Sequence, residues 1–235
     1  MHDLIHLFTG FILFSVLGLV QSGENLMVHE KRFRYLALGD SYTIGEAVSK
    51  SGRWPVQLVD SLRLRGIPLS DPVIVAKTGW TTAELSAGIR EANPAGTFHL
   101  VSLLIGVNNQ YRGGDPEIYR KEFRHLLQQA IAFAGDNIQK VLVLSIPDWG
   151  VTPFARNRDS KRIAAEINHF NAINKEEALY QGVHYIDITD LSRLALSDST
   201  LLASDGLHPS ERMYALWVER VLPIAETILR PAERD

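Results

Sequence analysis

FRYLALGDSYTIGE, residues 33–46, is the stretch from which the rest of the chain can be read. Apart from Arg34, residues 33–38 form a short apolar run that ends at Gly39. The polar pair Asp40-Ser41 follows at once. Such a run, closed by a small residue, predicts a strand. What comes next is a helix. In 54–64, Val56, Leu58, Val59 and Leu62 recur at helical spacing, and Gly66 stops the pattern. The unit is therefore strand, polar turn, helix.

That unit repeats to the end of the chain. Residues 72–76 (PVIVA) predict a second strand, and 82–91 a helix capped by Thr81 or Thr82. The run 98–105 (FHLVSLLI) predicts a third strand and ends at Gly106. Asp115 and Pro116 read as N-cap and first residue of a long helix to about 134. Residues 140–146 predict the fourth strand, 160–180 a long amphipathic helix, and 183–188 the fifth strand. A loop over 201–209 precedes a last helix, which Ser210 caps and which runs to about 229. Strands alternating with helices imply an α/β protein. We expect a three-layer α/β/α sandwich with a five-stranded parallel sheet, of the flavodoxin-like kind.

Composition narrows the class. The chain has 235 residues, 46% hydrophobic and 22% charged, with a formal net charge of -3. One domain with one core suits this length. No long basic run suggests a nucleic-acid partner. The absence of cysteine excludes disulfides, thiolate metal sites and a cysteine nucleophile.

Residues 4–20 (LIHLFTGFILFSVLGLV) are almost wholly apolar and lead into Gln21-Ser22-Gly23. This predicts a signal peptide over 1–22, with Val20 and Ser22 as the small residues before the cut. Met1-His2-Asp3 carries no Lys or Arg, so a retained N-terminal anchor and a buried core helix are the competing readings. The expected organisation is a leader over 1–22, a linker over 23–32 and a catalytic domain over 33–235. Secretion or a periplasmic location follows, with membrane contact only if the leader is kept.

In open parallel sheets, ligands bind beyond the carboxyl ends of the strands. The polar residues at those ends are Gly39-Asp40-Ser41, Lys77-Thr78-Gly79-Trp80, Gly106-Val107-Asn108-Asn109 and, after the fifth strand and a short interval, Asp205-Gly206-Leu207-His208. A hydroxyl, an amide, a carboxylate and an imidazole thus fall on one rim. A serine that attacks an ester needs such a set. An imidazole takes the hydroxyl proton, a carboxylate holds the imidazole, and preorganised N–H groups receive the oxyanion. The candidates are Ser41 as nucleophile, His208 as base and Asp205 as its partner. The Asn108 side chain and the Ser41 and Gly79 N–H groups are the candidate oxyanion donors. No metal or cofactor is called for.

These residues resemble the SGNH hydrolases, the GDSL-type esterases and lipases. The matching stretches are LALGDSYTIGE (36–46), Gly79 in AKTGWTT (76–82), LIGVNNQY (104–111) and DGLHP (205–209), in the family's order. The resemblance implies the same sandwich and the same roles for Ser41, Gly79, Asn108, Asp205 and His208. It also implies an ester substrate, and the leader peptide points toward extracytoplasmic esters: a small acyl or acetyl ester, an acetylated polysaccharide or a lysophospholipid. Two positions depart from the family pattern. Asn109 stands where Asp is frequent, and Tyr42 stands in place of Leu.

Each residue has a plainer reading. Ser41 alone suits a helix cap. Asp40 suits a hydrogen-bonding turn. Gly79 suits a turn with positive φ, and Asn109 is the near rival of Asn108. Trp54, Trp80, Trp149 and Phe154 are candidates for an acyl or alcohol pocket; Trp80, directly after Gly79, is the first choice for lining the site, and the other three also suit core or rim. Arg156, Arg158, Lys161 and Arg162 form a basic cluster, readable as a solvated face or as a seat for an acidic substrate group. An acyltransferase on the same residues and a non-catalytic binding module are the alternative functions.

Overall fold

A computed structural model describes residues 32–230. The leader, most of the linker and the last residues, 231–235, lie outside the described residues. The sheet has five strands: β1 (Tyr35–Gly39), β2 (Val73–Ala76), β3 (Leu100–Leu104), β4 (Val141–Leu144) and β5 (His184–Ile186). All neighbours pair parallel, in the order β2-β1-β3-β4-β5. The central strands β1, β3 and β4 are buried along their whole length, as the continuous apolar run 98–105 predicts for β3. β2 is an edge strand and half exposed.

The principal helices are α2 (Trp54–Leu64), α3 (Thr82–Ala92), α5 (Pro116–Phe133), α6 (Ser160–Gln181) and α8 (Glu211–Leu229). α2 and α8 pack together over one face of the sheet, while α3, α5 and α6 cover the other. Local chemistry sets several of their starts. Asp115 caps α5 by accepting from the Glu117 and Ile118 N–H groups, with Pro116 next. Thr81 and Glu84 form a reciprocal capping box on α3. Ser210 caps α8 by accepting from the Met213 N–H. Among the described residues no helix is long and apolar enough to cross a membrane.

Three short helices were not expected as such: α1 (Ser41–Ile44), α4 (Val107–Tyr111) and α7 (Thr189–Ser192). Each has four or five residues. Such pieces are too short to show a hydrophobic period, and tertiary packing holds them: α1 against β1 and β2, α4 against α6, and α7 against α8.

The strand order reverses between β1 and β3, and this is where such sheets open a crevice. Gly39 at the end of β1 lies opposite Leu104 at the end of β3. The two strands therefore stop level. The turn into α1 and the turn into α4 emerge side by side at one rim.

Candidate active site

The site is built on the turn after β1. A Cβ on Gly39 would lie 2.1 Å from the Thr43 hydroxyl and 2.5 Å from the Leu104 carbonyl oxygen. Only glycine lets α1 fold back this tightly. The helix cap is Asp40, whose carboxylate accepts the Tyr42 N–H at 3.0 Å. Ser41 is therefore the first helical residue and not the cap. Its own N–H belongs to the first turn, where a helix provides no acceptor. Ser41 is 5% exposed.

Asp40 bears out its reading as a turn residue, and adds a feature. It is fully buried, and its second oxygen has no partner among the described residues. Burial pushes its carboxyl up from 3.8 to about 7, with the Tyr42 N–H opposing only in part.

The loop before α8 supplies the imidazole. Asp205 accepts the Leu207 and His208 N–H groups at 2.9 and 3.0 Å through Oδ1. Its Oδ2 lies 2.6 Å from His208 Nδ1. The three-residue spacing thus closes a tight ring of contacts that fixes the imidazole. Burial pushes the Asp205 carboxyl upward. The His208 ring and the two backbone N–H groups outweigh burial and hold it below the usual range. The Tyr42 ring meets His208 edge-on at 5.6 Å.

Ser41 and His208 line one cavity of about 160 Å³, together with Tyr42, Val107, Tyr111, Trp149, Phe154 and Leu207. Trp149 and Phe154 are therefore rim and wall residues of the site. Trp54 is core, wholly buried against Tyr35.

The two neighbouring asparagines separate cleanly on α4. Asn109 is buried. Its side chain accepts from the Thr82 N–H at 3.0 Å and donates to the Thr82 hydroxyl at 2.7 Å, docking the start of α3. Asn108 is half-buried and donates to the Trp80 carbonyl at 2.9 Å. An amide carries two N–H donors, so this bond orients the plane of the side chain without exhausting it. Gly79 has φ +84, as a turn glycine should, and its carbonyl accepts from Arg112 at 2.7 Å. Asn108 and Arg112 thus bind the loop after β2 to α4.

The Trp80 expectation needs correction. Its ring lies over Gly88 of α3, where a Cβ would come within 2.1 Å of it, and it lines a separate groove beside β2. Only its carbonyl reaches toward the site. Conversely, Val107, Tyr111 and Leu207 were missed as lining residues. Tyr111 stands three residues after Asn108, so a helix over 107–111 would have put both on one side. Among the described residues, no group of three or more His, Cys, Asp or Glu side chains is placed to hold a metal ion.

No curated protein matches the chain. Among solved structures, TesA is 21% identical and superposes with a TM-score of 0.63, covering 83% of this chain and 99% of its own. The acetylxylan esterase Axe2 from Geobacillus stearothermophilus is 18% identical, with a TM-score of 0.64 over 82% of this chain and 94% of its own. The esterase EstA from Pseudoalteromonas sp. is 17% identical, with a TM-score of 0.59 over 84% of this chain and 98% of its own. At these identities the likeness is one of fold. The sequence itself matches the GDSL-like lipase/acylhydrolase family over residues 37–216, from within β1 into α8. With the sheet order and the four rim segments in place, the chain belongs to the GDSL-like lipase/acylhydrolase family.

Proposed function

We propose that this protein is a serine hydrolase of short-acyl carboxylic esters. One observation carries the reading: Ser41 and His208 line a single cavity, and His208 is held by Asp205 at 2.6 Å. In the proposed reaction the Ser41 hydroxyl attacks the ester carbonyl while His208 takes its proton. The oxyanion is received by the Asn108 amide and the Ser41 and Gly79 N–H groups. His208 returns the proton to the departing alcohol as the C–O bond breaks, leaving an acyl-Ser41. Water, deprotonated by His208, then releases the acid and regenerates Ser41.

The cavity supports a short acyl group. At about 160 Å³ it is well below the roughly 300–1,000 Å³ of pockets that enclose drug-sized ligands. Its walls are mostly apolar: Val107, Trp149, Phe154 and Leu207 with the rings of Tyr42 and Tyr111. Axe2 and EstA, which share the fold, are described as esterases, and that activity is proposed here by family and geometry together.

Ser41→Ala is the direct test. Turnover of p-nitrophenyl acetate should fall by roughly a thousandfold or more, with a melting temperature close to that of the parent. Undiminished turnover in the folded variant would sink the assignment. We also propose that residues 1–22 are an export leader. N-terminal sequencing of the mature protein tests this, and an intact Met1 would count against cleavage.

A further inference from the structure

Tyr111 and Trp149 have two sides. One faces the cavity over Ser41, and both residues also line a second, larger cleft of about 710 Å³ toward the start of α6. Their placement is firm. The Trp149 indole N–H donates to Gln110 at 2.8 Å, and the two rings meet edge-on at 5.3 Å. Compared with the smaller cavity, the larger cleft has a more polar lining. Gln110, Arg158, Arg162, Glu166 and His169 line it.

Arg158 lies on the shared wall. Its guanidinium carbon is 5.1 Å from the centre of the Tyr111 ring and 5.7 Å from that of Trp149, and it donates to the Tyr111 hydroxyl at 3.2 Å. Its neighbour Arg162 is already paired with Glu166 at 2.7 Å, and Glu166 also accepts from Gln110. Asp159 is occupied in capping α6. Among the described residues no carboxylate pairs with Arg158, Arg156 or Lys161. The cleft lining carries two cations, Arg158 and Arg162, and two carboxylates, Asp159 and Glu166, and among the described residues Arg158 is the cation of this set with no carboxylate partner. A guanidinium seated on aromatic faces is held in orientation while its free N–H groups can still grip a carboxylate or phosphate.

We propose that Arg158 is a specificity-determining residue, binding an anionic group on the alcohol side of the ester. The substrate class is then a short-acyl ester of an alcohol that carries a carboxylate or a phosphate. The small apolar cavity takes the acyl group. The alcohol passes the Tyr111–Trp149 wall into the larger cleft, where its anion meets Arg158. The inference rests on the ester-hydrolase reading of Ser41.

The test uses the purified protein and three matched esters: 1-acetylglycerol, 1-acetylglycerol 3-phosphate and 3-O-acetylglycerate. The readout is the kcat/KM of each anionic ester divided by that of the neutral one. A charge-assisted contact should raise this ratio roughly tenfold for at least one anion, mainly through KM. The ratio should fall toward one in Arg158→Gln, drop below one in Arg158→Glu, and shrink at high salt because the site is exposed. The anion that shows the effect identifies the group recognised. A ratio near one for both anions in the parent, or a raised ratio that survives Arg158→Gln, overturns the inference while leaving the esterase reading intact. Failure to hydrolyse all three esters and p-nitrophenyl acetate overturns the esterase reading, and this inference with it.

Discussion

The turn after β1 and the loop before α8 each carry an aspartate, Asp40 and Asp205, and both accept backbone N–H groups close to the site. There the likeness stops. Asp40 is sealed from solvent with one oxygen unpartnered among the described residues, and burial raises its carboxyl to about 7. Asp205 is exposed at the rim and meets His208, and its carboxyl is held low. In the proposed mechanism the pairing decides which of the two can hold an imidazolium. A carboxylate must keep its charge to do so, and below about pH 7 only the partly solvated, hydrogen-bonded Asp205 does. Asp40 instead shapes the turn that presents Ser41.

The strongest way to break this contrast is Asp205→Asn. The variant keeps the shape but loses the charge that, in the proposed mechanism, stabilises His208 as it takes the proton. We expect kcat on p-nitrophenyl acetate to drop by roughly 10²–10⁴-fold, the upper end being the effect of the equivalent change in another triad. Full activity would move the orienting role elsewhere, with Asp40 the first place to look.

Asp40→Asn sharpens the other half. The folded-state carboxyl of Asp40 titrates near 7, above its ordinary 3.8. Below about pH 4 both folded and unfolded chains hold the proton, and Asp40 costs nothing in ionisation. Between about pH 4 and 7 the unfolded chain ionises first. Stability then falls, by on the order of a few kcal/mol, and stays reduced above pH 7. Asp40→Asn retains an acceptor for the Tyr42 N–H and removes this loss. Melting curves should show the variant gaining on the parent between pH 4.5 and pH 8. A gap independent of pH would contradict the burial argument. For Asp205 the sign is opposite: its contribution is present above the unfolded value and is lost as pH falls through the lowered one. The Asp205→Asn melts should therefore differ from the parent least in acid.

Tyr42 joins the two regions, since its N–H binds Asp40 and its ring touches His208 and Trp217. Tyr42→Leu introduces the residue usual in the family. The ring contacts are worth about 0.5–1.5 kcal/mol each beyond their buried area. A fall in kcat/KM of no more than about tenfold is expected. A larger loss would mean that Tyr42 positions His208 more strongly than its edge-on contact suggests.

Much of this was legible before folding was considered. Asp115-Pro116 and Ser210 mark helix starts by chemistry confined to three or four neighbours, and the structure puts them there. β3 is readable because both its faces are buried. Asp205 and His208 lie close enough in sequence for their contact to follow from the loop itself. Other features were hidden. Asn108 and Asn109 are the same residue type in adjacent positions, and only the placement of α3 against α4 separates their partners. Trp80 follows Gly79 in sequence, yet its ring turns to Gly88, a contact no local rule specifies.

The sequence by itself determined the alternation of strands and helices, the helix caps, and the set of residue types gathered at the strand ends. These depend on periodicity and on hydrogen bonds between near neighbours, which a linear reading contains. Only the tertiary structure decided that Asp40 is buried, that Tyr111 and Trp149 stand between a small apolar cavity and a larger, more polar cleft, and that Arg158 stands on that wall. Burial and cavity shape arise from segments distant in the chain packing together, and so they exist only after the fold has closed.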